Sequence, residues 1–251
     1  MRRTSENLGE ASELAQPWPE GWTTESVIER LEPLTSEARR QRLLQIIERR
    51  VSAVTVLMDA PHDPHNAAAV IRTCEAFGLP ELHVVPRDER LLFARSVTRG
   101  AQRWVNVTVH SDPTVAVGRL HAQGFELVAT DPDGELLPDE LSRIPRLALL
   151  LGNEHSGLRP ELLRAASRSV RIPMRGFTES LNVSVAAAVL LASATQSRPG
   201  DLSPEQRRIA YARGLYHSVT SAREILRLTT PPVLERPLPN ETRPAATFAA
   251  K

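Results

Sequence analysis

Residues 147–158 read Leu-Ala-Leu-Leu-Leu-Gly-Asn-Glu-His-Ser-Gly-Leu. Five apolar residues in unbroken succession lack the alternation of a strand with one wet face. They predict a strand buried on both sides, as in a parallel sheet covered by helices. The run then breaks into Gly152 and a polar stretch closed by Gly157. That pattern predicts a tight loop at the strand's carboxyl end, where glycine lets the backbone approach a ligand closely. Open α/β sheets bind their ligands outside the carboxyl ends of the strands, so this stretch indicates both a fold class and the side of the sheet to search. On residue type alone, Glu154 serves equally well as the cap of a plain strand-to-helix turn.

Working outward, short apolar runs alternate with helical stretches. Strands are predicted at 53–58, 81–85, 104–109, 125–130, 147–151 and 169–172, with helices at 64–77, 113–123, 160–167 and 181–195. This alternation predicts an α/β fold, a mostly parallel sheet flanked by helices. A helical region at 24–50 precedes it, and a single last helix at 204–227 follows the break at Arg198-Pro199-Gly200. The expected organisation is a flexible leader over 1–23, a basic helical extension over 24–50 and the main domain over 51–197. A second helical extension over 198–228 and a disordered proline-rich tail over 229–251 complete it.

Bulk composition excludes several classes. The net charge of +1 advertises no global attraction to nucleic acid, so any electrostatic footprint is local. One such place is 36–50, where Arg39, Arg40, Arg42, Arg49 and Arg50 face only Glu37 and Glu48, beside an apolar stripe of Leu43, Leu44, Ile46 and Ile47. A solvated charged face explains it as readily as a phosphate grip. The lone Cys74 excludes an internal disulfide and suits a reducing, cytoplasmic location. No apolar run is long enough for a membrane span. Arg2 and Arg3 are followed by glutamates instead of the apolar core of a secretion signal. No Cys/His cluster has metal-ligand spacing, so no metal is expected.

Two further segments carry chemistry. Residues 62–78 read HDPHNAAAVIRTCEAFG, with Asp63 as N-cap, Pro64 in the first turn and Gly78 after the last. Asn66 and Arg72 are the anomalies in an apolar helix. Residue type alone allows a capping Asn and an arginine paired with a carboxylate. Residues 172–192 read IPMRGFTESLNVSVAAAVLLA, a proline-stopped strand, a loop and a buried helix whose polar groups Ser180, Asn182 and Ser184 cluster at its start. Such a start holds a carboxylate, a phosphate or a ribose hydroxyl, or is simply an N-cap at Ser180.

Together, residues 65–78, 149–158 and 172–192 resemble, in order and spacing, the three motifs of the SpoU branch of the SPOUT methyltransferases. The basic helix followed by HDPHNAAAVIRTCEAFG, and the stretch TRGAQRW at 98–104, resemble its TrmH-type members, which methylate the 2′-hydroxyl of guanosine 18 in the D-loop of tRNA. The resemblance implies a C-terminal deep trefoil knot, S-adenosylmethionine as cofactor, tRNA as substrate and a homodimer with the site at the subunit interface. It implies a catalytic set of Arg72, Asn66, Glu154, Ser180 and Asn182. It places the cofactor against Thr130, Leu151, Gly152, Asn153, Glu154, Ile172, Met174, Ser180, Leu181 and Asn182. RNA falls to Arg39, Arg40, Arg42, Arg49, Arg50 and His65, helped by the last helix. Arg72 then acts as a base if burial neutralises it, or stays charged and stabilises the developing alkoxide.

Rival readings are weaker. A Rossmann-type enzyme needs a glycine-rich turn after the first strand, and Asp59-Ala60-Pro61-His62 has none. Ribosomal RNA enzymes of the family usually carry a separate N-terminal RNA-binding domain, and those acting on the anticodon lack flanking helices. A non-catalytic RNA-binding relative is countered by the intact Arg72, Asn66, Glu154 and Asn182.

Overall fold

The computed structural model describes residues 16–87 and 100–229. Most of the expected leader, the expected tail from 230, and Thr98 and Arg99 of the TRGAQRW stretch lie outside the described residues. Six strands, β1 (Val54–Asp59), β2 (Glu81–Val85), β3 (Asn106–Val109), β4 (Glu126–Thr130), β5 (Leu147–Leu151) and β6 (Arg168–Val170), form one sheet in the order β3-β2-β1-β5-β4-β6. Every pairing is parallel. The expected strand at 169–172 is shorter, because Val170 already ends the ladder against Thr130.

The apolar run at 147–151 is fully buried at the middle of this sheet, paired from Val54↔Leu147 to Met58↔Leu151 on one side and with β4 on the other. Neither face sees water because helices cover both. Helices α3 (Pro64–Ala76) and α6 (Val183–Thr195) cover one face, burying Val70, Ile71, Leu190 and Leu191. Helices α4 (Pro113–Ala122) and α5 (Pro160–Ala165) cover the other with Ala116, Leu120 and Leu162. Each of these leucines contributes roughly 1.5–3 kcal/mol by leaving water.

The N-terminal region is two helices, α1 (Thr24–Leu31) and α2 (Glu37–Ile47), because the turn at Glu32–Leu34 carries Pro33 and Ser36 starts a new cap. The last helix is likewise two, α7 (Pro204–Ser218) and α8 (Ala222–Leu228), with Ser221 between them in the left-handed region at φ 58°. The first and last described segments share a second core of Trp18, Trp22, Val27, Leu31, Leu43, Ile47, Leu215 and Leu226. Residues 16–22, expected within the flexible leader, are part of it: Trp22 donates its indole N–H to the Leu226 carbonyl at 3.1 Å, and Trp18 to the Trp22 carbonyl at 3.0 Å.

This helical cap is clipped to the sheet. Asp201 accepts hydrogen bonds from the backbone N–H of Ser52 and of Ala53, the latter at 2.9 Å. Gly200 lies so close to the chain that a Cβ there would sit 1.7 Å from the Glu48 carbonyl oxygen. Arg50, expected on a solvated basic face, is only 5% exposed and donates to the carbonyls of Leu79 at 2.7 Å and Trp104 at 2.9 Å. It joins cap to sheet instead of standing on an exposed basic face. Among the described residues no helix is long and apolar enough to cross a membrane.

Candidate active site

The turn after β1 sets the first wall. Ala60 adopts φ 45°, a left-handed conformation that strains a residue with a Cβ by roughly 1–3 kcal/mol. It is held from two sides: its N–H donates to the Val85 carbonyl at 2.8 Å, and its carbonyl accepts from Asn153 Nδ2 at 2.6 Å. Three residues on, Asp63 caps α3 by accepting from the His65 N–H, with Pro64 in the first turn as expected. Gly78 closes that helix at φ 79°.

These caps fix the position of Asn66, half-buried at the start of α3. Its side chain sits in a directed chain of hydrogen bonds. Asn182, the N-cap of α6, accepts from the Ser184 N–H at 2.9 Å, and a backbone N–H can only donate. Asn182 Nδ2 is therefore left to donate, and it meets Asn66 Oδ1 at 3.0 Å. Asn66 Nδ2 in turn donates to Glu154 Oε1 at 2.9 Å, and an ionised carboxylate can only accept. The two ends thus dictate the orientation of both amides. Glu154 Oε2 also accepts from the His62 N–H at 3.1 Å. Partial burial pushes the Glu154 carboxyl up, but the donors from Asn66, its own backbone, His62 and Asp63 outweigh it and hold the group below the ordinary carboxylate value.

The loop after β5 is built to hold this shape. Asn153 is 6% exposed, and its Oδ1 accepts from the N–H groups of His155 at 2.9 Å and Ser156 at 3.2 Å. Its backbone exchanges two 2.9 Å hydrogen bonds with Gly157. A Cβ on Gly152 would fall 2.5 Å from the Gly157 carbonyl carbon, so the glycine is a steric requirement of the closed loop. Behind it, the buried carboxylate of Asp59 accepts from the Arg159 backbone N–H at 2.7 Å and from its Nε at 2.6 Å. This pair was not anticipated from the sequence, because a strand-end acid carries no local mark of a partner a hundred residues away.

Beside the network opens a cleft of about 510 Å³ at the carboxyl ends of β4, β5 and β6. Thr130, Leu151, Gly152, Asn153, Glu154, Ile172, Met174, Ser180, Leu181, Asn182 and Asn66 all line it, so the structure brings together every residue assigned to the cofactor. Thr130 is turned back, its hydroxyl donating to the Leu150 carbonyl at 2.9 Å. Sequence reading missed Asp131 and Pro132, which line the cleft along with Glu179 of the loop 172–181. Its lining charges are all acidic: Asp131, Glu154 and Glu179. Ser180 lies in the loop and leaves the capping of α6 to Asn182.

Arg72 stands apart. Its side chain is exposed on α3, does not line the cleft, and makes no hydrogen bond or ion pair among the described residues. The apolar surroundings expected for it belong to the opposite face of the helix, where Val70, Ile71 and Cys74 are buried. His65 is exposed in the first turn. Arg39 and Arg42 on α2 and Arg49 just after it are exposed, whereas Arg40 is half-buried and pairs with Glu37.

Comparison with known proteins identifies the family. Residues 53–192 match the model of the SpoU rRNA Methylase family. A tRNA (guanosine(18)-2′-O)-methyltransferase of Thermus thermophilus is 38% identical over 168 residues, covering 65% of this chain and 84% of that protein. The crystal structure of the A. aeolicus TrmH/SpoU tRNA modifying enzyme superposes with a TM-score of 0.65 at 29% identity, covering 73% of this chain and 98% of that one. The SpoU methyltransferase AviRb from Streptomyces viridochromogenes, solved in complex with AdoMet, superposes with a TM-score of 0.54 at 27% identity over 61% of this chain and 60% of that one. With the family model spanning all three polar segments that meet at the cleft, the chain belongs to the SpoU methylase family.

Proposed function

We propose that the chain transfers the methyl group of S-adenosylmethionine to the ribose 2′-hydroxyl of guanosine 18 in the D-loop of tRNA. The observation that carries this reading is the chain Asn182–Asn66–Glu154, which ties three separate sequence segments into one edge of one cleft.

The cleft's chemistry fits the cofactor. Its acidic lining suits a ligand bearing sulfonium and ammonium charges, and Leu151, Ile172, Met174 and Leu181 provide apolar surface for an adenine ring. When bound, the cofactor supplies an activated methyl group. This chain's residues must then align a poor nucleophile with it and manage the proton that leaves. Asn66 and Asn182, held rigid by their mutual hydrogen bond, position the ribose and the cofactor edge, and Ser180 adds a hydroxyl. Glu154 keeps the loop ordered. Arg72, exposed on α3, stabilises the developing alkoxide electrostatically.

Because Arg72 lies outside its own cleft, the proposal requires a homodimer in which the arginine of one protomer serves the site of the other. Helices α3 and α6 share one sheet face, and α6 exposes Val185 (47%) and Val189 (38%) there, apolar surface of the kind a partner covers. A trefoil knot fits the threading at the sheet edge. Val170 pairs with Thr130 on one side and bridges to Leu136 on the other, so the later segment is flanked by two parts of one loop. A Cβ on Gly134 would lie 2.5 Å from the Val170 carbonyl carbon, leaving no slack around it. Arg39, Arg40, Arg42 and Arg49, with His65, contact the RNA backbone.

The test is methyl transfer from labelled S-adenosylmethionine to unmodified bulk tRNA, with the modified nucleotide mapped and Arg72→Ala and Arg72→Lys run alongside. A 2′-O-methylguanosine at position 18, lost in Arg72→Ala, is the expected result. Methylation at another position overturns the substrate, and nearly full activity in Arg72→Lys overturns any role that needs the guanidinium.

A further inference from the structure

A second cavity, of about 250 Å³, lies where the helical cap meets the sheet domain, lined from α2, α7, Pro80 and Trp104. Its walls are the aliphatic chains of Leu43, Ile46 and Ile209 and the indole of Trp104. Its charged lining is three guanidiniums, Arg39, Arg50 and Arg213, against the single carboxylate of Glu75, with Gln206 as a further polar side chain.

The arginines are not all spent on the fold. Arg39 donates its Nε to the Ser218 hydroxyl at 2.9 Å, and Arg50 uses only Nη2, on two carbonyls. Arg213 makes no hydrogen bond among the described residues, and its Nε is buried without a partner. Burial lowers Arg50 to about 10, with Glu75 opposing that shift and Arg213 adding to it; burial lowers Arg213 as well. A buried donor with no acceptor, beside a second buried cation, is an arrangement that folding alone disfavours and an anion relieves. A flat apolar body beside that anion would lie against Trp104 and Ile46, since aromatic side chains accept bases of any sequence on their faces.

We infer that this cavity binds a nucleotide, its phosphate on Arg213 and Arg50 and its base against Trp104 and the aliphatic wall. The occupant is either a free mononucleotide or a nucleotide of bound RNA, and the site is separate from the cleft at the carboxyl ends of the strands.

The experiment is calorimetric titration of GMP, and separately of inorganic phosphate, into the full chain saturated with S-adenosylhomocysteine so that the cleft is occupied. One GMP per chain is expected, with inorganic phosphate at least tenfold weaker because it lacks the base. Arg213→Gln should weaken GMP at least tenfold, and Ile209→Trp, which fills the cavity, should abolish it, while both variants still bind S-adenosylhomocysteine. If Arg213→Gln does not fold, Ile209→Trp decides. No GMP binding, or binding unchanged in the folded variants, overturns the inference. Saturating tRNA added to the GMP complex identifies the source: displacement of GMP assigns the cavity to a nucleotide of the RNA, and simultaneous binding assigns it to a free nucleotide. The readout needs no methyl transfer, so it stands or falls independently of the proposed activity.

Discussion

Asn66 is oriented by its neighbours' chemistry: a carboxylate that can only accept on one side, and on the other an amide whose oxygen is already claimed by a helix cap. Replacing Glu154 by Gln breaks that logic, because one of its two acceptor positions becomes a donor facing either Asn66 Nδ2 or the His62 N–H. We expect Glu154→Gln to lower kcat/KM by ten- to a hundredfold, roughly 1.4–2.7 kcal/mol, with the fold retained by circular dichroism. The pH dependence has a defined sign. The folded carboxyl titrates below its ordinary value of 4.5, so its contribution to stability is complete above that value and is lost as pH falls through the lower folded value. Urea denaturation from pH 7 down to pH 3 should show an acid-side loss in the natural protein that is smaller in Glu154→Gln; identical profiles would remove Glu154 from that role. Asn66 was legible in the sequence as a polar residue in an apolar helix, Glu154 as part of a polar loop after a buried strand, and Asn182 as part of a polar cluster at a helix start. Asp59 was not, because a strand-end acid looks like any other until Arg159 is seen to reach it from a hundred residues away.

Helix α2 shows how far periodicity carries and where it stops. Leu43 and Ile47 are buried four residues apart against the second core, whereas Leu44 and Ile46 remain 40% and 39% exposed. The sequence marks four apolar residues on this helix, but only the helices packed on it decide which pair is covered. The same holds for charge. Arg50 looks like its neighbours on paper, yet the crossing of cap and sheet buries it. Arg42 and Arg49 remain exposed. The double variant Arg42→Gln/Arg49→Gln should weaken tRNA binding and flatten the log–log dependence of affinity on salt by up to about 2, leaving kcat at saturating tRNA unchanged. A slope that does not move would show that this face does not contact RNA backbone. Trp22 tests the other side of the cap: Trp22→Ala should cost about 3–5 kcal/mol in urea denaturation, since it removes a buried indole and its hydrogen bond to Leu226. A cost below about 1 kcal/mol would make this core dispensable.

At the scale of the whole molecule, the proposed activity needs a second protomer, since the cleft holds the network but not Arg72. Val185→Glu/Val189→Glu places two charges on the exposed face of α6, and sedimentation should show a monomer that has lost methyl transfer while its cap stays folded. A dimer that survives this change would place the interface elsewhere. The sequence by itself determined the parallel α/β architecture, the helix caps at Asp63 and Gly78, and the three polar segments. Those features arise from interactions within a few residues: strand burial, capping and backbone conformation. Tertiary structure alone decided that the first and last described segments build one shared core, that Arg50 is buried, that Asn153 ties its loop to Ala60, and that Arg72 faces away from the cleft. Each of these depends on which surfaces meet across tens to some two hundred residues of chain or on the direction a helix face is turned. Local patterning does not encode such meetings, because the free energy that settles them comes from burying surfaces that are far apart in sequence.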